Sequence, residues 1–101
     1  MIWLHPGAGD LSAITAETAE GLRALSSMLG REGCDLYITH LQGGIHSDGS
    51  FHPFGRAADI RRPAIDKEEI WAALRKMGFD VVDEGSHIHI EYDPKPRRAH
   101  G

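Results

Sequence analysis

The stretch that decides the fold of this chain is His87-Ile88-His89-Ile90-Glu91-Tyr92. Polar and apolar residues alternate along it, a pattern typical of a β-strand with one covered face. Because successive side chains of a strand point to opposite faces, the two histidines share one face with Glu91, and the isoleucines share the other with Tyr92. We expect the apolar face to pack on helices. The opposite face then presents two imidazoles with Cα atoms roughly 6.5 Å apart, or simply turns polar residues to water.

Outward from this strand, the pattern predicts two helices and three more strands. The first helix is capped by Ser12 or Thr15 and stopped by Gly30 and Gly33; its apolar positions recur at helical spacing, at Thr18, Leu22, Leu25 and Leu29. The second is capped by Asp66 and ends at Gly78, with a predicted buried stripe at Ile70, Ala73, Leu74 and Met77. Residues 34–41, 56–62 and 79–84 are the predicted strands. Residues 1–11 are interpreted as an apolar start followed by a turn.

These elements predict a small α+β domain: an antiparallel sheet of about four strands with two helices. The chain has 101 residues, of which 41% are hydrophobic and 26% charged, so one domain spanning residues 1–101 is expected. Residues 93–101 form a predicted flexible basic tail, with Lys95, Arg97 and Arg98 following two prolines.

Composition also narrows the classes of function. The formal net charge of −4 does not favour binding to nucleic acid. No apolar stretch approaches the roughly 20 residues that span a membrane. Cys34 is the only cysteine, so any metal site must use imidazole and carboxylate. The N-terminus lacks the pattern of a signal peptide, so we expect the protein to be made in the cytoplasm. We also expect it to be a monomer.

A second stretch, Ser50 to Asp59, supplies a histidine and a carboxylate. His52 lies in a polar, glycine-rich loop, Asp59 lies in the following strand, and Gly55 permits the chain to reverse between them. If this strand neighbours the one carrying His89, the three side chains can converge on one ion. Two imidazoles and a carboxylate form a known catalytic zinc set that leaves the fourth position open for water.

The pattern Ser-x-His-x-x-Gly-x-Ala-x-Asp at residues 50–59 resembles the first zinc motif of the D-alanyl-D-alanine carboxypeptidase family, and His87-x-His89 resembles the second. That family belongs to the LAS group of bacterial and phage peptidoglycan peptidases, which includes the hedgehog signalling domain. The resemblance covers residues 37–92 and implies a hedgehog-like zinc fold of small phage or prophage type.

The resemblance implies one zinc ion per chain, with His52, Asp59 and His89 as its ligands. His87 would contact the reacting water or the developing oxyanion, and Glu91 would orient a ligand histidine. Candidate substrate contacts are Ser50, His46 and Arg56.

The sequence departs from the family pattern at two points. Many members place an acidic general base three residues before the last ligand, where this chain has Ser86, so Glu84 or His87 must take that role. Members also often carry a substrate-clamping arginine upstream of the first motif, and residues 38–42 contain none.

Three functions are compatible with these patterns. The first is a zinc peptidase that hydrolyses peptidoglycan stem peptides or cross-links, as a carboxypeptidase or endopeptidase, after release to the cell wall or within a phage particle. The second is a binding or phage structural module stabilised by its metal and without turnover. The third, a non-haem iron or cupin-like site using both histidines and Glu91, is disfavoured because cupins are almost entirely β-structure.

Overall fold

The computed structural model describes residues 1–41 and 55–94 of the chain. Its strands are β1 (Ile2–Leu4), β2 (Leu36–Leu41), β3 (Ala57–Arg61), β4 (Phe79–Asp83) and β5 (His87–Tyr92). Its α-helices are α1 (Ala16–Arg31) and α2 (Glu68–Lys76), and a short 3-10 turn spans Leu11–Ala13. The predicted α+β class with two helices is confirmed.

The sheet is mixed and has five strands in the order β1-β2-β3-β5-β4. Four strands form the predicted antiparallel part, but β1 pairs in parallel with β2. The predicted count of four strands and the all-antiparallel sheet were therefore wrong. Strand β1 has three residues, which is too short a run to show a periodic pattern. It is defined by its pairing with β2, which continues in the hydrogen bond from the amide of His5 to the carbonyl of Ile38.

Both helices cover one face of the sheet. The parity predicted for β5 is confirmed, because Ile88 and Ile90 are buried whereas His87, His89 and Glu91 are partly exposed. The core between the two layers consists mainly of aliphatic side chains, chiefly Leu22, Leu25, Leu29, Leu36, Ile38, Ile60, Leu74, Ile88 and Ile90. Neither helix of the described part combines the length and the apolar character needed to span a membrane.

The ends of α1 follow the predicted signals at Thr15 and Gly33, but the predicted stop at Gly30 was wrong, because Gly30 lies within the helix. Thr15 is the N-cap, with its hydroxyl accepting a bond from the amide of Thr18 at 3.2 Å. At the other end Gly33 has a φ of 76°, and the amide of Cys34 bonds to the carbonyl of Leu29. This is the glycine-terminated arrangement that satisfies the last carbonyls of a helix.

Two predictions for α2 were wrong. Lys67, not Asp66, occupies the N-cap and makes no side-chain cap bond. Asp66 instead accepts hydrogen bonds from the indole of Trp71 at 2.7 Å and from Arg62 at 2.8 Å. Met77 is 37% exposed, whereas Trp71 is buried. The helix ends at Lys76, so the periodic stripe stops one turn earlier than the sequence pattern indicates.

Candidate metal and catalytic site

The outer face of the sheet, away from the helices, brings the two sequence motifs together. Strands β3 and β5 are direct antiparallel neighbours, and Asp59 stands opposite His89 in their register. Oδ1 of Asp59 lies 2.7 Å from Nδ1 of His89, so two of the predicted ligand side chains already meet. The predicted metal set required the strand with Asp59 to neighbour the strand with His89, and the fold meets that requirement.

The other ring nitrogen of His89 also faces a carboxylate. Nε2 lies 3.3 Å from Oε1 of Glu91, which stands two residues further along the same face of β5. A histidine that binds a metal through one nitrogen usually donates the N–H of the other to a carboxylate or carbonyl. Glu91 therefore has the position expected for orienting a ligand histidine.

Partial burial makes these contacts electrostatically significant. The side chains of His89, Asp59 and Glu91 are 31%, 24% and 15% exposed. Burial by itself lowers the pKa of His89, but the hydrogen bonds and charges of the two carboxylates outweigh burial and raise that pKa above its usual value. Without a metal, the imidazole is thus biased towards its protonated form, which donates to both carboxylates.

A second acid–base pair lies beside the first. Nε2 of His87 is 3.0 Å from Oε1 of Glu84, and the hydroxyl of Ser86 is 3.2 Å from Nδ1 of the same ring. Glu84 and His87 are the two residues that the sequence offered as substitutes for the absent acidic base. The tight turn between β4 and β5 places them in contact, with the amide of Glu84 bonded to the carbonyl of His87.

Within residues 1–41 and 55–94, one group of three side chains could hold a metal ion: Asp59, Glu84 and His87. One donor atom from each lies within 4.8 Å of the others. This set and the predicted set share only Asp59: Glu84 and His87 complete this set, whereas His52 and His89 complete the predicted one. Imidazole and carboxylate donors are typical of catalytic zinc, so the chemistry of either set fits that ion.

The remaining predicted residues divide into two groups. His52, Ser50 and His46 lie outside the described residues, and their roles stay predictions. Arg56 precedes β3, and its guanidinium lies over the ring of Tyr92 at 5.8 Å from the centroid. The proposed contact of Arg56 with substrate stays a prediction.

Three polar residues near the site were missed or given little weight by the sequence interpretation. His40 is exposed and stands opposite Asp59 from β2, and the hydroxyl of Thr39 donates to the backbone carbonyl of Asp59 at 3.1 Å. Arg61 pairs in register with His87. Its position two residues after Asp59 was the available signal, because residues two apart in a strand share a face.

No protein-family model matches the chain, and no curated protein matches it.

Proposed function

We propose that this protein is a zinc-dependent peptidase that hydrolyses peptide bonds in peptidoglycan stem peptides or cross-links. The observation that carries the proposal is the meeting of Asp59 and His89 across neighbouring strands at 2.7 Å. The resemblance of residues 50–59 and 87–89 to the two zinc motifs of the D-alanyl-D-alanine carboxypeptidase family supports it. His52, Asp59 and His89 would hold the ion.

Bound zinc would supply a Lewis acid that polarises the scissile carbonyl and lowers the pKa of a water. The protein residues carry the remaining tasks. Glu91 holds the ring of His89 so that Nδ1 faces Asp59. The Glu84–His87 pair can accept a proton from the attacking water and return it to the leaving amine, which is the task of a general base followed by a general acid.

Metal content of purified variants tests the ligand assignment. We expect about one zinc per chain in the wild type. His89→Ala should lose the metal, whereas His87→Ala should keep it and lose turnover. If His87→Ala loses the metal and His89→Ala keeps it, the ion belongs to the Asp59, Glu84 and His87 set. A protein that folds normally and never binds zinc contradicts the proposal.

Release of new amino termini from purified peptidoglycan tests the activity. The zinc-loaded wild type should release them, and Glu84→Gln should retain zinc while releasing far fewer. Arg23→Gln is a matched control, because the guanidinium of Arg23 makes an exposed ion pair with Glu20 on α1, away from the candidate site. Absence of release by the zinc-loaded wild type at every pH would overturn the assignment as an enzyme.

A second candidate function is a metal-stabilised binding or phage structural module without turnover. One observation favours it: Ser86 stands where many family members have the acidic base, and its hydroxyl faces Nδ1 of His87. A serine hydroxyl cannot act as that base at neutral pH. Stoichiometric zinc together with no peptidoglycan cleavage is the outcome that this module predicts.

A further inference from the structure

A row of side chains crosses the outer face of the sheet: four come from the neighbouring strands β1, β2, β3 and β5, and the fifth is the residue that follows β4. In spatial order it consists of Trp3, Tyr37, Arg61, His87 and Glu84. The first two are paired between β1 and β2, and Arg61 is paired with His87 between β3 and β5. The row therefore begins at the β1 edge of the sheet and ends in the acid–base pair of the candidate site.

The β1 end of this row is an ordered aromatic surface. The rings of Trp3 and Tyr37 are stacked, with centroids 6.3 Å apart and an interplanar angle of 13°. The indole N–H donates to Asp35 at 3.2 Å, and the guanidinium of Arg61 lies 4.7 Å from the centroid of the Tyr37 ring. Both rings remain open to solvent, with Trp3 48% and Tyr37 38% exposed. A shallow cleft of about 220 Å³ adjoins them.

We propose that Trp3, Tyr37 and Arg61 form a saccharide-binding shelf that holds a sugar ring of the peptidoglycan glycan strand. This proposal rests on the proposed function and names a second part of the same substrate. The apolar C–H face of a pyranose can pack on the exposed ring of Trp3, which is large, rigid and partly polar at its rim. Tyr37 contacts Trp3 on one side and Arg61 on the other, and so holds the Trp3 ring in place. Arg61 offers several N–H donors and Asp35 offers carboxylate acceptors for the hydroxyl and N-acetyl groups.

Preorganisation favours binding at this shelf. The hydrogen bond to Asp35 restrains Trp3, and contacts on both sides restrain Tyr37. Binding to rings that are already restrained costs less conformational entropy than binding that must first order free side chains.

The separation between the shelf and the candidate site matches the substrate. Three strand intervals separate Trp3 on β1 from His87 on β5, which is roughly 14 Å at the usual interstrand spacing. An extended peptide of four residues spans roughly 13 Å. A stem peptide can therefore reach from a sugar on the shelf to the acid–base pair with its third or fourth peptide bond at the site.

Fluorescence titration with a soluble β-1,4-linked N-acetylglucosamine tetramer tests the shelf without any need for turnover. The sugar should shift the emission of exposed Trp3 to shorter wavelength, whereas buried Trp71 should not respond. Trp3→Phe should remove the signal. Calorimetry should show that Trp3→Ala and Tyr37→Ala each weaken binding by about tenfold.

Met77→Ala is the matched control, since Met77 is an apolar side chain of similar exposure beyond the end of α2. It should bind the tetramer as the wild type does. Absence of tetramer binding overturns the shelf, and so does binding that survives both aromatic substitutions. Binding of a mononucleotide or a proline-rich peptide to these rings in place of the sugar also overturns it.

Steady-state kinetics connects the shelf with the reaction. The wild type should show a KM about tenfold lower for a stem peptide attached to its sugar than for the free peptide. Trp3→Ala and Tyr37→Ala should abolish this difference and leave kcat on the free peptide unchanged. If the wild type cleaves neither substrate, the proposed function fails, and the titration still decides whether the shelf binds sugar.

Discussion

At the level of single residues, the imidazole of His89 is held between two carboxylates, Asp59 on the neighbouring strand and Glu91 on its own. The sequence motif identified all three residues. Strand parity places His89 and Glu91 on one face, but the pairing of β3 with β5 brings Asp59 to Nδ1. The same arrangement that suits a metal ligand stabilises a positive charge when no metal is bound.

The raised pKa of His89 predicts how the stability of the metal-free protein depends on pH. The charged imidazole binds its two carboxylates only in the folded state, so its contribution is fully present below the pKa of an unfolded histidine. The contribution is lost as pH rises through the higher pKa of the folded state. Urea denaturation of zinc-free protein should show stability falling over this range.

His89→Gln is the control for this measurement, because glutamine keeps a polar side chain without titrating near neutrality. The variant should show a flatter dependence of the free energy of unfolding on pH across the same window. An equal slope in the two proteins would mean that His89 is not the group responsible.

At the level of elements, the β4–β5 turn and its neighbours position the Glu84–His87 pair. Arg62, just after β3, donates to the carbonyl of Gly85 at 2.7 Å and pairs with Asp83 and Asp66. It thus joins the end of β3, the turn and the segment before α2. The pairing raises the pKa of Arg62 and lowers that of Asp83, chiefly through their hydrogen bond.

Arg62→Met should loosen this turn. It removes all three polar contacts while keeping an apolar stem of similar length. We expect faster hydrogen exchange at the amide of Gly85, which donates to Asp83 at 2.9 Å, and lower turnover with zinc content unchanged. Arg75→Met is the control, because Arg75 pairs with Glu68 on the exposed side of α2. Equal exchange in both variants would contradict the role of Arg62.

The contact between α1 and β4 depends on the absence of a side chain at Gly21. A methyl group at this position would overlap the ring of Phe79, which is buried. Overpacking of this kind costs about 1–3 kcal/mol, against a gain of about 1 kcal/mol from the higher helix propensity of alanine. Gly21→Ala should therefore lower the free energy of unfolding by up to about 2 kcal/mol in urea denaturation.

Gly30 provides a comparison within the same helix. Beyond the backbone of the helix itself, a methyl group there meets no atom of the described residues within 4 Å, so Gly30→Ala should raise stability by about 0.5–1 kcal/mol. The two substitutions should change the free energy of unfolding in opposite directions. Both gain helix propensity, but only the methyl group at residue 21 meets a packed ring. Stabilisation by Gly21→Ala would show that α1 can move away from Phe79.

At the level of the whole molecule, we expect the proposed metal binding to be coupled to folding. Asp59 and the candidate histidine ligands of β5 come from strands that meet only in the folded sheet, so zinc should bind the folded state in preference. At free zinc about 100 times its Kd, the expected stabilisation is about 2.7 kcal/mol, which raises the Tm of a domain this size by about 13 °C.

Differential scanning calorimetry over a range of zinc concentrations checks this coupling. Asp59→Asn should abolish the shift, since Asp59 belongs to both candidate ligand sets. If the Tm of the wild type does not change with zinc concentration, both the proposed peptidase and the metal-stabilised module are contradicted.

Local sequence signals determined much of the fold. The alternation at residues 87–92 predicted β5 and its buried face, and Thr15 and Gly33 correctly marked the ends of α1. These signals act through neighbouring backbone groups and through side-chain periodicity, which a single sequence contains. Asp59 and His89 were also named as partners from motif chemistry alone.

Only the tertiary structure decided the features that depend on contacts distant in the chain. Strand β1 exists because it pairs with β2, and Asp66 serves Trp71 and Arg62 instead of capping α2. The alignment of Trp3, Tyr37 and Arg61 with the Glu84–His87 pair follows from strand order. Periodicity assigns a residue to a face of its own strand, but the register between strands sets which residues of different strands meet there.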